Sequence, residues 1–322
     1  MLSIFNKKPT VTILFIHIPK TAGTSFRNGL NNVLNLLCDY GNKNPVTSHQ
    51  FQSCVYEEKD VFKFKKWHQS NSKYSICGHL NLTKYLDFID VNNTVSFVRD
   101  PLEQVVSHYN HHVKNNDLKC SIQEFIKRPQ FCNLQSRLLS SLPLTLMGFV
   151  GVTERYEESL KVIKAFYKLD VEALTDNRNA LPALSSSKLD DKTKQRIQTL
   201  NSKDQQYYKD ALELLDKKSE FLNHFDSGCW VYSHLVINKN NVLNGCAYFH
   251  GNSVKAVLLK LVVANEVVET VKAEQFYGLY PKANFPRERY IGVNLALSKY
   301  PKGSEVKLIV EKTSQVIFEG VC

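Results

Sequence analysis

No stretch of this 322-residue chain is apolar for long enough to span a bilayer as a helix. The first twenty residues lack the basic, apolar, small-residue order of a cleaved leader, and their apolar run leads straight into a conspicuous loop, so the reading is of a cytosolic chain. The eight cysteines include no C-x-x-C pair, which argues against a disulfide framework or a zinc ribbon and leaves them as buried thiols. A Walker A order, G-x-x-x-x-G-K-[ST], is missing, as are internal repeats and low-complexity tracts. The net charge of +10 favours anionic partners, but it is not concentrated. Residues 1–227 hold 30 Lys and Arg against 24 Asp and Glu, and residues 228–322 hold 11 against 7, with no aspartate at all. That dispersal speaks against a nucleic-acid surface.

What is present divides at about residue 228. Before it, strand-like runs alternate with helical periods. Strands are expected at 11–18, 73–79, 94–98 and 148–152, and helices at 24–38, from Pro101 onward, from Thr153 to about 168, and over 190–218. Such alternation predicts an α/β domain, a parallel sheet flanked by helices, spanning residues 1–227. Residues 39–72 are polar and mixed, with "CVYEEKDVFKFKKWHQ" an exposed helix or substrate-facing segment. From 228 to 322, short β-rich runs such as "AVLLKLVV", "EVVETVKA" and "EVKLIVE" are separated by Asn, Gly and Pro turns, which predicts a β-sandwich domain.

The loop "IPKTAGTSF" follows the first strand and opens a helix. A helix N-terminus offers free N–H groups and partial positive charge, Gly23 allows close backbone approach, Thr24 and Ser25 supply caps or hydroxyl donors, and Lys20 supplies a full charge. Together with Thr21 and Ala22 these residues read as a phosphate cradle. A second one follows another strand in "SFVRDPLEQVVSHY", where Arg99 leaves the strand and Ser107 lies two turns into the next helix. Two cradles at the carboxyl ends of one sheet's strands describe a ligand with two separated phosphates.

With these motifs the chain resembles the sulfotransferases that use 3′-phosphoadenosine-5′-phosphosulfate (PAPS), most closely the heparan sulfate 2-O- and 6-O-sulfotransferase branch and its bacterial relatives. "HIPKTAGTS" resembles their 5′-phosphosulfate loop and "VSFVRDPLEQVVSHY" their 3′-phosphate segment. The likeness continues in order through "CGHLNL", "CNLQSRLLS", "GFVGVTERYEESL" and "LNSKDQQYYKDALELL". It implies a P-loop-like fold and transfer of a sulfuryl group from PAPS, leaving PAP, to a hydroxyl acceptor, a carbohydrate by family likeness. Lys20 would stabilise the leaving 5′-phosphate, residues 21–25 would hold it, and Arg99 and Ser107 would hold the 3′-phosphate. His79 in "CGH" would be the general base, with His17 as its rival. Asn133, Gln135 and Arg137 in "NLQSR", and Arg155, take active-site or acceptor roles. The family's Golgi anchor and stem are not seen in this sequence. The β-rich tail resembles a small sandwich attached to bacterial glycan-modifying transferases and is expected to bind glycan or to pair two copies of the chain.

No metal is required by this chemistry. His108, His111 and His112 have helical spacing, but no Cys or carboxylate completes a ligand set around them. Two other classes compete. A nucleotide-dependent kinase would need a Mg²⁺-binding carboxylate at the strand ends, where only Asp100 stands. A non-catalytic glycan-binding protein would have no need of Lys20, Arg99 and His79 together.

Overall fold

The computed structural model describes residues 11–115, 118–173, 184–251 and 254–322. In the first part of the chain the elements are β1 (Leu14–Ile16), α1 (Gly23–Val33), β2 (Asn35–Asp39), α2 (Val61–Ser70), β3 (Tyr74–Gly78), β4 (Thr94–Val98), α3 (Pro101–Lys114), α4 (Ile122–Phe125), α5 (Leu134–Leu139), β5 (Phe149–Val152), α6 (Tyr156–Tyr167), α7 (Asp191–Leu200) and α8 (Ser202–Leu222). The five strands pair in parallel in the order β2-β3-β1-β4-β5. Leu14, Phe15 and Ile16 are all buried, as a central strand covered on both faces requires.

Strand order reverses at β1. The chain leaves β1 toward β2 on one side, and leaves β4 toward β5 on the other. The crevice between those diverging connections is where an open α/β sheet receives ligands, and both predicted cradles flank it.

Four helix starts follow ordinary capping chemistry. Asp60, Asp100 and Asp190 accept from the main-chain N–H three residues on, and Ser121 and Glu124 form a reciprocal capping box. Pro101 occupies the first turn of α3, as expected. At α1 the cap is Ala22, with no side-chain bond to the helix. Thr24 and Ser25 lie inside the first turn and do not cap it, contrary to one of the roles expected of them.

One strand escaped the sequence pattern. The helix expected over 24–38 stops at Val33, and Asn35–Asp39 form edge strand β2 on β3. The apolar spacing of Leu30, Leu34 and Leu37 suits a helix, but main-chain pairing with β3 decides the outcome. Beyond it, Asp39 is fully buried and accepts from Tyr56 Oη (2.5 Å), Tyr85 Oη (2.6 Å) and Lys84 Nζ (2.7 Å). Burial pushes its carboxyl pKa up, but these bonds prevail and hold it below the ordinary value. That knot ties the mixed segment 39–72 to the sheet; within it Phe51–Glu57 form a π-helical turn and Val61–Ser70 the expected helix.

The remainder is β6 (Val231–Ile237), β7 (Val242–Phe249), β8 (Val257–Val263), β9 (Glu266–Ala273), β10 (Gln275–Phe276), β11 (Tyr290–Ala296), β12 (Glu305–Val310) and β13 (Val316–Val321). They form two antiparallel four-stranded sheets, β10-β11-β7-β6 and β13-β12-β8-β9. Leu235, Leu243, Leu259, Leu261, Val293 and Leu308 fill the space between them. The outward face of the first sheet carries Tyr232, Cys246 and Tyr248, which join the core of the α/β part. Tyr248 Oη donates to Leu146 O (2.9 Å), and Tyr232 Oη and Lys218 Nζ both donate to Gly148 O, at 2.9 and 2.6 Å.

Candidate active site

The loop after β1 is held in an unusual shape. Lys20 (φ 68°) and Ala22 (φ 62°) are both left-handed, while Thr21 between them is not. Such alternation turns successive N–H groups toward one side, a concavity suited to an anion, and each left-handed non-glycine residue costs about 1 kcal/mol or more and persists only where its surroundings enforce it. The enforcement is visible. Thr21, fully buried, donates its hydroxyl to Ile18 O (3.0 Å), and Gln104 of α3 donates to Pro19 O (3.0 Å). Gly23 has no positive φ; it is needed because a Cβ there would overlap Cδ2 and Nε2 of the His17 ring.

The second cradle is equally supported. Gln135, buried at the start of α5, brackets Arg99 with both ends of its amide: Oε1 accepts from Arg99 N (2.8 Å) and Nε2 donates to Arg99 O (2.9 Å). The guanidinium reaches Lys20 O (3.4 Å), with Glu103 and Glu154 at 3.8 and 3.9 Å.

One cleft of about 730 Å³ joins the two cradles. From the predicted set it is lined by Lys20, Ala22, Gly23, Thr24, Ser25, His79, Arg99 and Ser107. The charges are uneven. Burial first, then the charges of Arg99 and Lys114, lower the Lys20 ammonium below its ordinary pKa. Among the described residues no acceptor holds its Nζ, and no carboxylate lines the cleft. Arg99 has its two glutamates at the rim, but Lys20 is held near other cations with no anion of its own, which suits it to receive one.

His79 stands at the carboxyl end of β3, exposed at the cleft, with its ring centroid 4.6 Å from that of His17 and 4.7 Å from that of Tyr40. Its Nδ1 lies 2.6 Å from His17 O. A carbonyl only accepts, so Nδ1 carries the proton and Nε2 keeps its lone pair. The protein packed around part of the ring keeps water from it and lowers its pKa, the bond to His17 O opposes this, and Arg27 lowers it further.

Other predicted residues lie outside the cleft. Thr21 is used internally, as above. Asn133 caps the junction of α5 with α8, accepting from Lys203 N and Asp204 N and donating to Leu200 O. Gln135 positions Arg99, Arg137 donates to Pro129 O and Gln130 O, and Arg155 pairs with Glu158 and Asp216. Sequence reading missed Arg27 and Tyr40 as cleft residues, together with Thr153 and Tyr156. Arg27 lies one turn beyond Gly23 on α1, a spacing that could have disclosed it; Tyr40 depends on the unrecognised strand. His108, His111 and His112 also line the cleft, and Nε2 of His108 and of His112 face each other at 3.1 Å. Among the described residues no third ligand-type side chain groups with them to hold a metal.

These features suit an anionic ligand: a helix N-terminus without a side-chain cap, paired left-handed residues, a lysine with no carboxylate partner, and a bracketed arginine after the neighbouring strand. No curated protein matches the chain. It is similar in structure to a sulfotransferase from Alicyclobacillus acidocaldarius, with 11% identity and a TM-score of 0.36 over 64% of this chain and 96% of that one, a likeness too distant to bear on function. Residues 4–137, which contain both cradles and His79, match the model of the sulfotransferase family.

Proposed function

We propose that the protein is a PAPS-dependent sulfotransferase acting on a hydroxyl acceptor, a carbohydrate by the resemblance of its motifs, and that it works in the cytoplasm. The observation that carries this reading is the shared cleft, in which two anion cradles and a histidine with a free Nε2 converge. When bound, PAPS supplies an activated sulfuryl group on a phosphate leaving group.

The chain's part is positioning and charge. Arg99 and Ser107 hold the 3′-phosphate and fix register, while the N–H groups of residues 22–25 with the Thr24 and Ser25 hydroxyls hold the 5′ end. Lys20 meets negative charge as it develops on the leaving oxygen. His79 Nε2 takes the acceptor's proton, and the His17 carbonyl keeps the ring in the tautomer that does so. The kinase alternative is disfavoured because among the described residues no carboxylate lines the cleft, and Asp100 is engaged as the cap of α3. We take residues 1–227 as the transferase domain and residues 228–322 as an accessory domain for glycan binding or pairing of chains. Transfer of labelled sulfate from PAPS across a panel of glycans, small hydroxyl metabolites and tyrosine peptides tests the reading. Failure to bind PAP at low ionic strength would end it.

A further inference from the structure

His17 has no part in the mechanism above except through its backbone. Its side chain is 5% exposed, stacked on Phe15, and its ring edge lies against Gly23 at the floor of the cleft. Nδ1 meets Tyr40 Oη at 2.6 Å. Arg27 also reaches that phenol, but a guanidinium only donates, and the remaining acceptor is Cys77 Sγ at 3.5 Å, far weaker than an imidazole nitrogen. Burial holds the Tyr40 hydroxyl far above its ordinary pKa, so it keeps its proton and gives it to Nδ1 as a hydrogen bond. The imidazole then carries its own proton on Nε2. That atom has no partner among the described residues, yet it is not sealed off, and it lies beside the glycine of the anion loop.

We propose that His17 is a neutral donor whose Nε2–H points at the anion held by the Lys20 loop, with Tyr40 as the positioning residue that sets its tautomer. This rests on the cleft being a nucleotide site. Neutrality is consistent with the surroundings: burial, then the charges of His79, Arg27 and Lys20, bring the His17 pKa down to about 3. A neutral donor contributes a directed hydrogen bond without adding a further cation to a crowded cluster. It also accounts for Gly23, since the loop must lie flat on the ring that donates to its ligand. His17 and His79 thus divide two histidine tasks: one presents a proton and the other an empty lone pair.

The test uses the full chain labelled with ¹⁵N-histidine. Long-range nitrogen–proton correlation should show His17 protonated on Nε2 from pH 8 to 6, and adding PAP should move that nitrogen's resonance. By calorimetry, His17→Gln, which keeps an N–H near the position of Nε2, should bind PAP within about threefold of wild type, while His17→Phe should weaken it about tenfold. Tyr40→Phe should give a mixed tautomer and a few-fold weaker PAP binding. An Nδ1–H tautomer in the wild type, a resonance indifferent to PAP, or a folded His17→Phe that binds PAP normally would each overturn the inference while leaving the sulfotransferase reading intact. A wild type that binds no PAP would remove that reading and the ligand assigned to His17 with it.

Discussion

Gln135 grips Arg99 by the backbone, accepting from its N–H and donating to its carbonyl, although Gln135 itself does not line the cleft. The arginine's aim therefore depends on a residue in another helix. Gln135→Leu should leave both main-chain groups unbonded and weaken PAP binding by roughly tenfold, with little change in turnover at saturation. Calorimetry alongside thermal unfolding checks it; an unchanged affinity in a folded variant would show that Arg99 is held without this bracket.

Arg99 and Lys20 should fail differently. Arg99→Ala removes a ground-state contact and should raise the dissociation constant for PAP by tenfold or more. Lys20→Ala removes charge needed as the leaving group departs, and should lower kcat by about 10²-fold or more with a smaller effect on affinity. Steady-state kinetics with parallel PAP titrations separate the two, and a pure affinity loss in both variants would take the catalytic role from Lys20.

His79 must be neutral to act as a base. Its pKa is lowered, so turnover should persist below pH 6.5 and fall only as pH drops through that lowered value. His79→Ala should remove most turnover and this acid limb while leaving PAP affinity almost unchanged. A pH–rate profile of the variant that retains both rate and limb would place the base elsewhere.

Lys218 is enclosed by the rings of Phe149, Phe166, Trp230 and Tyr232, and burial brings its pKa from 10.5 to about 7, against the pull of those ring faces. Between these values the unfolded chain binds a proton that the folded chain does not. Lys218 therefore makes stability rise with pH from about 7 to about 10.5. Urea unfolding at a series of pH values should show that slope, and Lys218→Met should flatten it. An identical slope in the variant would mean that the ring faces keep the lysine charged.

Removal of the sandwich after residue 226 should strip the Tyr248 donor from Leu146 O, leave Gly148 O with the Lys218 donor, and expose the apolar surface that Tyr232 and Tyr248 cover. A shortened chain is expected to lose several degrees of melting temperature, or its solubility, before PAP binding can be scored. A soluble fragment with full-length melting temperature and PAP affinity would show that the sandwich is dispensable to the site.

That Lys20, His79 and Arg99 would meet at one cleft was legible because each follows a buried apolar run as a residue out of keeping with it, and strand ends of a parallel sheet converge. Tyr40 was not, because β2 has the apolar spacing of a helix and is a strand only through its partner β3. Gln135 and Asn133 were visible as residues but not as roles, since their bonds reach across long sequence separations. The left-handed Lys20 and Ala22 carry no local mark, glycine being the residue such angles favour. The sandwich was readable from its turns, whereas its burial against the first part of the chain depends on which face of β6 and β7 carries tyrosine.

Those two left-handed residues bear on how the protein would respond to engineering. Ala22→Gly would relieve the backbone at once, and a screen for thermal stability alone would favour it. The same change would let the loop sample shapes in which its N–H groups no longer converge. Selection for robustness and selection for ligand capture therefore pull in opposite directions at residue 22, and a stabilised library should be scored for both before that position is accepted.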